Sequence, residues 1–126
     1  MAEALARYDA ADVIEPSSAG LHPLGYIADL TKQTLMINGY SAEGLTSDRL
    51  TSAVSDAAEI IINMTGRPRE ANFSPSDYER IEDWIVEDPY DNDPETYQRV
   101  FESLNRRVNQ LASGLREKRQ KSAAVE

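Results

Sequence analysis

The feature of this 126-residue sequence that most constrains its fold is an apolar series near the C-terminus. Its members recur at alternating steps of four and three residues: Tyr97, Phe101, Leu104, Val108, Leu111 and Leu115. Such a series marks one face of an α-helix over about three heptads. The preceding Asp93-Pro94-Glu95 has the capping residue, first-turn proline and first-turn acid of a helix start. We therefore predict a helix over 94–119 whose apolar face packs on its own domain or on a neighbouring subunit.

Three further segments carry helical signals. Residues 47–65 repeat apolar side chains at helical spacing and stop at Gly66, which suits a left-handed C-cap. Residues 75–87 follow a capping Ser74 and end before Pro89. Residues 24–37 keep a looser helical spacing up to Asn38-Gly39. That dipeptide either ends the helix or turns a short β-hairpin, and we favour the helix.

Together these segments predict an all-α fold, a small bundle of about four helices with a long C-terminal helix. The predicted domain organisation is an N-terminal arm at 1–20, a helical domain at 21–115 and a basic C-terminal arm at 116–126. Besides the C-terminal apolar series, the predicted core contains Leu50, Val54, Ala57, Ile61, Trp84 and Ile85.

Charge is unevenly distributed along the chain, whose net charge is −9. Residues 77–95 hold nine acids and one arginine, whereas residues 106–121 are strongly basic. This pattern serves solubility and local pairing, or it marks a subunit whose basic end docks on an acidic neighbour. Free duplex DNA is disfavoured as a main partner because the overall charge repels phosphates.

Compartment is indicated by what the sequence does not contain. Its N-terminal residues form no signal peptide, its longest apolar run is three isoleucines, and it has no cysteine. We expect no membrane partner and a location in the cytoplasm or in a particle assembled there.

Residues 87–97 resemble a calcium loop because Asp91, Asp93 and Glu95 alternate. A calcium loop needs glycine at its sixth position, where this segment has Thr96, and Pro94 stiffens it. We therefore interpret the carboxylates as a linker and a helix cap, and predict no metal and no cofactor.

Catalytic constellations are lacking in the sequence. His22 is the single histidine, no residue supplies a thiol, and no glycine-rich phosphate loop occurs. These observations predict a non-enzymatic protein.

One stretch, residues 26–68, resembles the N-terminal half of tailed-phage head–tail adaptor (connector) proteins. The resemblance depends on Ala28-Asp29-Leu30, on the alanine-rich Ala57-Ala58-Glu59-Ile60-Ile61, and on the stop Thr65-Gly66-Arg67. It implies a virion protein that forms a homo-oligomeric ring below the portal, docks tail or stopper proteins and surrounds a DNA channel.

Under this hypothesis the subunit or portal interface combines the C-terminal apolar series with the basic arm. Its predicted members are Tyr97, Phe101, Leu104, Val108, Leu111, Arg116, Lys118, Arg119 and Lys121. Two alternatives stay open from the sequence. The protein is an acidic inhibitor that mimics DNA and binds a nucleic-acid-processing protein, or it is a cytosolic helical regulatory subunit.

Overall fold

A computed structural model describes the backbone of residues 1–21, 24–89 and 93–125, with side chains up to residue 120. Within these ranges the α-helices are α1 (Ala2–Asp9), α2 (Asp29–Ile37), α3 (Ser52–Ala57) and α4 (Pro94–Val125). The strands are β1 (Ile61–Asn63) and β2 (Ile81–Asp83), and short 3₁₀ helices span Arg69–Ala71 and Pro75–Arg80.

The chain divides into two compact units. The first, here called the helical unit, comprises Met1–Ser17, Ile27–Leu45 and Asp88–Glu126. The second, the strand unit, comprises Ser18–Tyr26 and Thr46–Glu87.

Helix α4 organises the helical unit by packing against α1 and α2. Asp93 caps its start as the sequence predicts, since its Oδ1 accepts hydrogen bonds from Thr96 N at 2.9 Å and Thr96 Oγ1 at 2.8 Å. The apolar series faces the interior, where Tyr97, Phe101, Leu104 and Val108 are buried. Leu5 of α1 and Leu35 of α2 are fully buried in the same unit. Burial of such side chains stabilises a fold by about 1.5–3 kcal/mol each.

Tyr40 lies between two other aromatic rings of the helical unit. Its ring centroid is 5.9 Å from that of Tyr8 and 5.6 Å from that of Phe101. The Tyr40 hydroxyl donates a hydrogen bond of 2.5 Å to Asp9 Oδ2. Desolvation by burial, followed by the interaction with Asp9, raises the pKa of Tyr40 to about 12.

The loop after α1 is tied to α4 by arginine side chains. Arg116 donates from Nε to Asp12 Oδ2 and from NH2 to Asp12 Oδ1, both at 2.9 Å. Arg119 donates to the Asp12 carbonyl oxygen at 2.8 Å. A bidentate guanidinium–carboxylate pair fixes orientation as well as distance. The pair therefore holds the loop after α1 against the C-terminal part of α4.

The strand unit contains a two-stranded parallel sheet. Ile61 pairs with Ile81, Ile62 with Glu82 and Asn63 with Asp83. Ile61 and Ile81 are buried, whereas the sheet's remaining side chains are mostly polar or partly exposed. A separate parallel bridge joins Gly20 to Arg49.

The predicted all-α class is wrong. The segment 47–65 contains only the short α3 and then β1, and the segment 75–87 is a 3₁₀ helix followed by β2. Both strands start at an isoleucine, and β-branched residues favour strands once a partner strand is available. Helix α2 starts at Asp29 rather than at residue 24, and Gly39, with φ of +86°, follows its end.

Several residues that the helical pattern assigns to the core lie elsewhere. Val54 and Ala57 are exposed on the six-residue α3, and Ile85 is 88% exposed after β2. Leu50 is half-buried, while Ile61 and Trp84 are buried. The difference arises because the segment 47–65 is not one continuous helix. Its residues are divided between α3 and β1, so they do not form a single apolar face. No helix among the described residues has the length and apolarity needed to traverse a lipid bilayer.

Candidate functional site at the strand ends

Parallel sheets bind ligands beyond the carboxyl ends of their strands, because loops and helix starts converge there. In the strand unit these ends are Asn63 of β1 and Asp83 of β2, which are register partners. Trp84 N donates to the Asn63 carbonyl oxygen at 2.9 Å and extends the pairing by one residue. We define the strand-end site as Asn63, Thr65, Arg67, Arg69 and Asp83.

Asn63 is the centre of this site and is only 5% exposed. Its Nδ2 donates to Asp83 Oδ1 at 2.9 Å and to the Arg67 carbonyl oxygen at 3.0 Å. Its Oδ1 accepts from Thr65 N at 3.2 Å and from Thr65 Oγ1 at 2.7 Å. One buried amide therefore connects the end of β2 to the turn that follows β1.

Arg69 covers the outer side of Asp83. Its NH2 donates to Asp83 Oδ2 at 2.6 Å, and its NH1 donates to the Tyr78 carbonyl oxygen at 3.2 Å. The hydrogen bonds from Arg69 first, and from Asn63 second, hold the pKa of Asp83 below its usual value. The same pairing raises the pKa of Arg69. Asp83 is thus kept ionised, which suits a structural anchor better than a proton donor.

The turn after β1 is rigid in its backbone. Gly66 adopts φ of +74°, a conformation that favours glycine. Arg67 N donates to Thr65 Oγ1 at 3.1 Å, so the residues on either side of Gly66 are hydrogen-bonded to each other. The arginine side chain of residue 67 is exposed. The geometry places a cationic side chain on a fixed backbone at the strand ends.

A wide cleft of about 710 Å³ also lies in the strand unit. Its lining includes the carboxylates Asp56, Glu70 and Asp77 together with Arg49. Hydrogen bonds from Ser74 first, and then from Arg80, lower the pKa of Asp77. Because ionised carboxylates repel anions, the strand-end site with its arginines is the better candidate for an anionic ligand.

The residues predicted to form a subunit interface lie within the helical unit. Tyr97, Phe101, Leu104 and Val108 are buried there, and Leu111 is half-buried. Arg116 and Arg119 bind Asp12 of the same chain rather than a neighbour. Lys118 is exposed, and the side chain of Lys121 lies outside the described residues.

The predicted absence of metal concerned a segment only partly described. Asp91 lies outside the described residues, and Asp93 is used as the cap of α4. Among the residues that the structure describes, no group of three or more acidic, histidine or cysteine residues is arranged to hold a metal ion.

Sequence reasoning missed the whole strand-end site. The predicted helix over 47–65 includes Asn63 and Thr65 in its last turn. The usable signal was the β-branched run Ile60-Ile61-Ile62 followed by Asn63 and, two residues later, Thr65-Gly66, which is typical of a strand entering a tight turn.

Comparisons with known proteins identify one family and several structures with a similar fold. The family model of low molecular weight phosphotyrosine protein phosphatase matches residues 1–121. Among solved structures, the YwlE arginine phosphatase from Geobacillus stearothermophilus has a TM-score of 0.82 at 21% identity, covering 95% of this chain and 86% of that chain. A protein tyrosine phosphatase has a TM-score of 0.79 at 23% identity, covering 91% of this chain and 85% of that chain.

An arsenate reductase in its phosphate-binding state has a TM-score of 0.76 at 25% identity, covering 90% of this chain and 86% of that chain. A comparison with curated protein sequences gave no match.

The fold and the site define an α/β protein with parallel strands and a polar site at their carboxyl ends. More specifically, the chain belongs to the low molecular weight phosphotyrosine protein phosphatase family.

This membership corrects the functional predictions. The resemblance to phage head–tail adaptors is wrong, and so are the virion ring, the portal partners and the non-enzymatic class, because the matching family and structures are phosphatases and arsenate reductases. The alanine-rich stretch and the Thr65-Gly66-Arg67 stop that suggested the resemblance belong to α3, β1 and the turn after β1.

Proposed function

We propose that this protein hydrolyses phosphate monoesters of the phosphotyrosine class. The observation that carries the proposal is the family match, which extends over residues 1–121. The parallel strands and the arginine-containing site at their carboxyl ends support it, because an anionic substrate is favoured at such a place. We also propose a cytoplasmic location, because a sequence without cysteine forms no disulfide and needs no oxidising compartment.

The proposed reaction transfers a phosphoryl group to water. The phosphorus–oxygen bond to the leaving group breaks, a water oxygen becomes the new phosphate oxygen, and a proton reaches the leaving oxygen. The proposal assigns no nucleophile to a residue of this sequence. It requires donors near the phosphate and an acid near the leaving group.

The acid is sought among carboxylates that follow β2. Asp83 is excluded because its contacts with Arg69 and Asn63 lower its pKa. The next two carboxylates along the chain are Glu87 and Asp88. Asp88 precedes Pro89, which restricts its backbone to extended conformations. We therefore propose Asp88 as the proton donor and use Glu87 as its matched control.

Arsenate reduction is the second function suggested by the structural neighbours. Reduction of arsenate to arsenite consumes two electrons, and thiols are the side chains that supply electrons reversibly. Since the sequence contains no cysteine, none of its residues supplies them in this way. Hydrolysis needs no net electron transfer, so the residues present favour the phosphatase.

The experiment measures inorganic phosphate released from a phosphotyrosine peptide, with a phosphoserine peptide as the comparison substrate. Phosphate release above the uncatalysed rate is expected for phosphotyrosine, with inhibition by added inorganic phosphate. Asp88→Asn should lower kcat by about 10²- to 10⁴-fold, the usual contribution of general acid catalysis, while Glu87→Gln leaves kcat within about two-fold of the wild type. Absence of phosphate release above the uncatalysed rate contradicts the proposal, whether or not calorimetry detects phosphate binding.

A further inference from the structure

The strand-end site holds one arginine by its backbone alone. Asn63 Nδ2 donates to the Arg67 carbonyl oxygen at 3.0 Å, and Thr65 Oγ1, whose hydrogen bonds to Asn63 Oδ1 at 2.7 Å, lies 3.4 Å from the same carbonyl oxygen. Arg67 N donates in turn to Thr65 Oγ1 at 3.1 Å. The position of the Arg67 Cα is therefore fixed by side chains at the end of β1.

The guanidinium of Arg67 differs from those of its neighbours. Arg69 binds Asp83, and Arg80 binds Asp77 together with the carbonyl oxygens of Ser55 and Ala58. Arg67 is exposed, and within the described ranges its guanidinium has no hydrogen-bond or ion-pair partner. A fixed backbone thus carries a cation that protein groups do not neutralise.

The overall negative charge of the chain makes the position of the Arg67 cation important for an anionic substrate. The chain has a net charge of −9, which repels an anionic substrate as a whole. The Arg67 guanidinium offsets that repulsion locally, and its planar N–H donors match the geometry of a carboxylate. A group that binds the reacting phosphate is held by its own contacts. The Arg67 side chain lacks such contacts among the described residues, so it suits recognition beside the reacting group rather than catalysis.

We propose that Arg67 is a specificity-determining residue that contacts a carboxylate of the substrate next to its phosphorylated residue. The inference rests on the proposed phosphatase function and adds a substrate preference to it. The preferred substrate is a phosphopeptide with acidic residues flanking the phosphotyrosine. Under this proposal Arg67 is neither the proton donor nor a hydrogen-bond donor to the phosphate.

Two phosphotyrosine peptides test the proposal, one with aspartates flanking the phosphotyrosine and one with asparagines at the same positions. Affinity is measured by fluorescence anisotropy and kcat/KM by phosphate release, for the wild type and for Arg67→Ala. The matched control is Arg106→Ala, which removes the same charge from an exposed position on α4. The wild type should prefer the aspartate peptide by about 2- to 5-fold, the range for an exposed ion pair.

Arg67→Ala should abolish this preference, and the loss should appear in Kd and KM for the aspartate peptide. Arg106→Ala should keep the preference, and Arg67→Lys should keep part of it. The preference should shrink as salt is raised, because exposed charge pairs are screened. An unchanged preference in Arg67→Ala, an equal loss in Arg106→Ala, or no preference in wild-type binding overturns the assignment of Arg67. Binding with the expected preference but no phosphate release would instead reject the phosphatase reaction while leaving Arg67 as a recognition residue.

Discussion

The helical unit and the strand unit obtain their order by different means. In the helical unit, long apolar side chains such as Leu5, Leu35 and Phe101 are buried between helices that are far apart in sequence. In the strand unit, the buried set includes the polar side chains Ser55, Asn63 and Asp77. Burial of apolar area is non-directional, whereas a polar network requires each partner in place. The comparison teaches that removal of volume should damage the first unit most and removal of one hydrogen-bonding group the second.

The largest expected effect tests the apolar side of the comparison. Phe101→Ala empties a buried site beside the ring of Tyr40 and should lower the free energy of unfolding by about 3–5 kcal/mol. Ile61→Ala in the three-residue β1 should cost less, about 2 kcal/mol. Chemical denaturation of both variants gives the two values. Ile37→Ala, at a side chain that is 80% exposed, is the control and should stay within about 0.5 kcal/mol. Equal losses in Phe101→Ala and Ile61→Ala would remove the distinction between the units.

The second prediction addresses the polar network. Asn63→Ala removes the donors to Asp83 and Arg67 and the acceptor for Thr65. Leaving such groups without partners should cost about 1–3 kcal/mol in the free energy of unfolding. Asn109→Ala is the matched control, because Asn109 is exposed and, among the described residues, its amide bonds only to Asn105 one turn earlier in α4. A loss in Asn63→Ala no larger than that in Asn109→Ala would show that the network does not stabilise the strand unit.

The smallest effect concerns the surface of the helical unit. The hydrogen bond from Arg116, as the largest cause, lowers the pKa of Asp12 from 3.8 to about 2. A lowered pKa in the folded state means that this contribution to stability is complete above about pH 4 and is lost as the pH falls towards about 2. Thermal melting of the wild type and Asp12→Asn across this range should show the two curves converging at low pH. Parallel curves would mean that the pair of Asp12 and Arg116 does not contribute to stability. Glu117→Gln, which removes a carboxylate from the helix that carries Arg116, serves as the control.

Much of the helical unit could be predicted from the sequence, because its signals are local. The apolar series from Tyr97 to Leu115 and the cap at Asp93 lie within α4 itself, and the predicted start at Pro94 matches the observed one. The predicted end, residue 119, falls short of Val125 because the residues after Leu115 do not continue the apolar periodicity.

The strand unit could not be predicted in the same way. Its strands are three residues long, and their isoleucines also fit a helical spacing, so the pattern alone gave the wrong period. The partners Asn63 and Asp83 are 20 positions apart and meet only through parallel pairing. The strand-end site therefore exists only in the tertiary structure.

The pairing of Asp12 with Arg116 has a consequence for how the protein is made. The two residues are separated by 104 positions, nearly the whole length of the chain. On the ribosome, α1 is synthesised long before α4. The apolar face that α1 buries in the folded protein therefore stays exposed to solvent until α4 has been made. Contacts of such high sequence separation slow folding and expose apolar surface in the meantime. The helical unit is thus completed only after synthesis of α4, and nascent chains that stop before Pro94 carry an α1 without its partner helix.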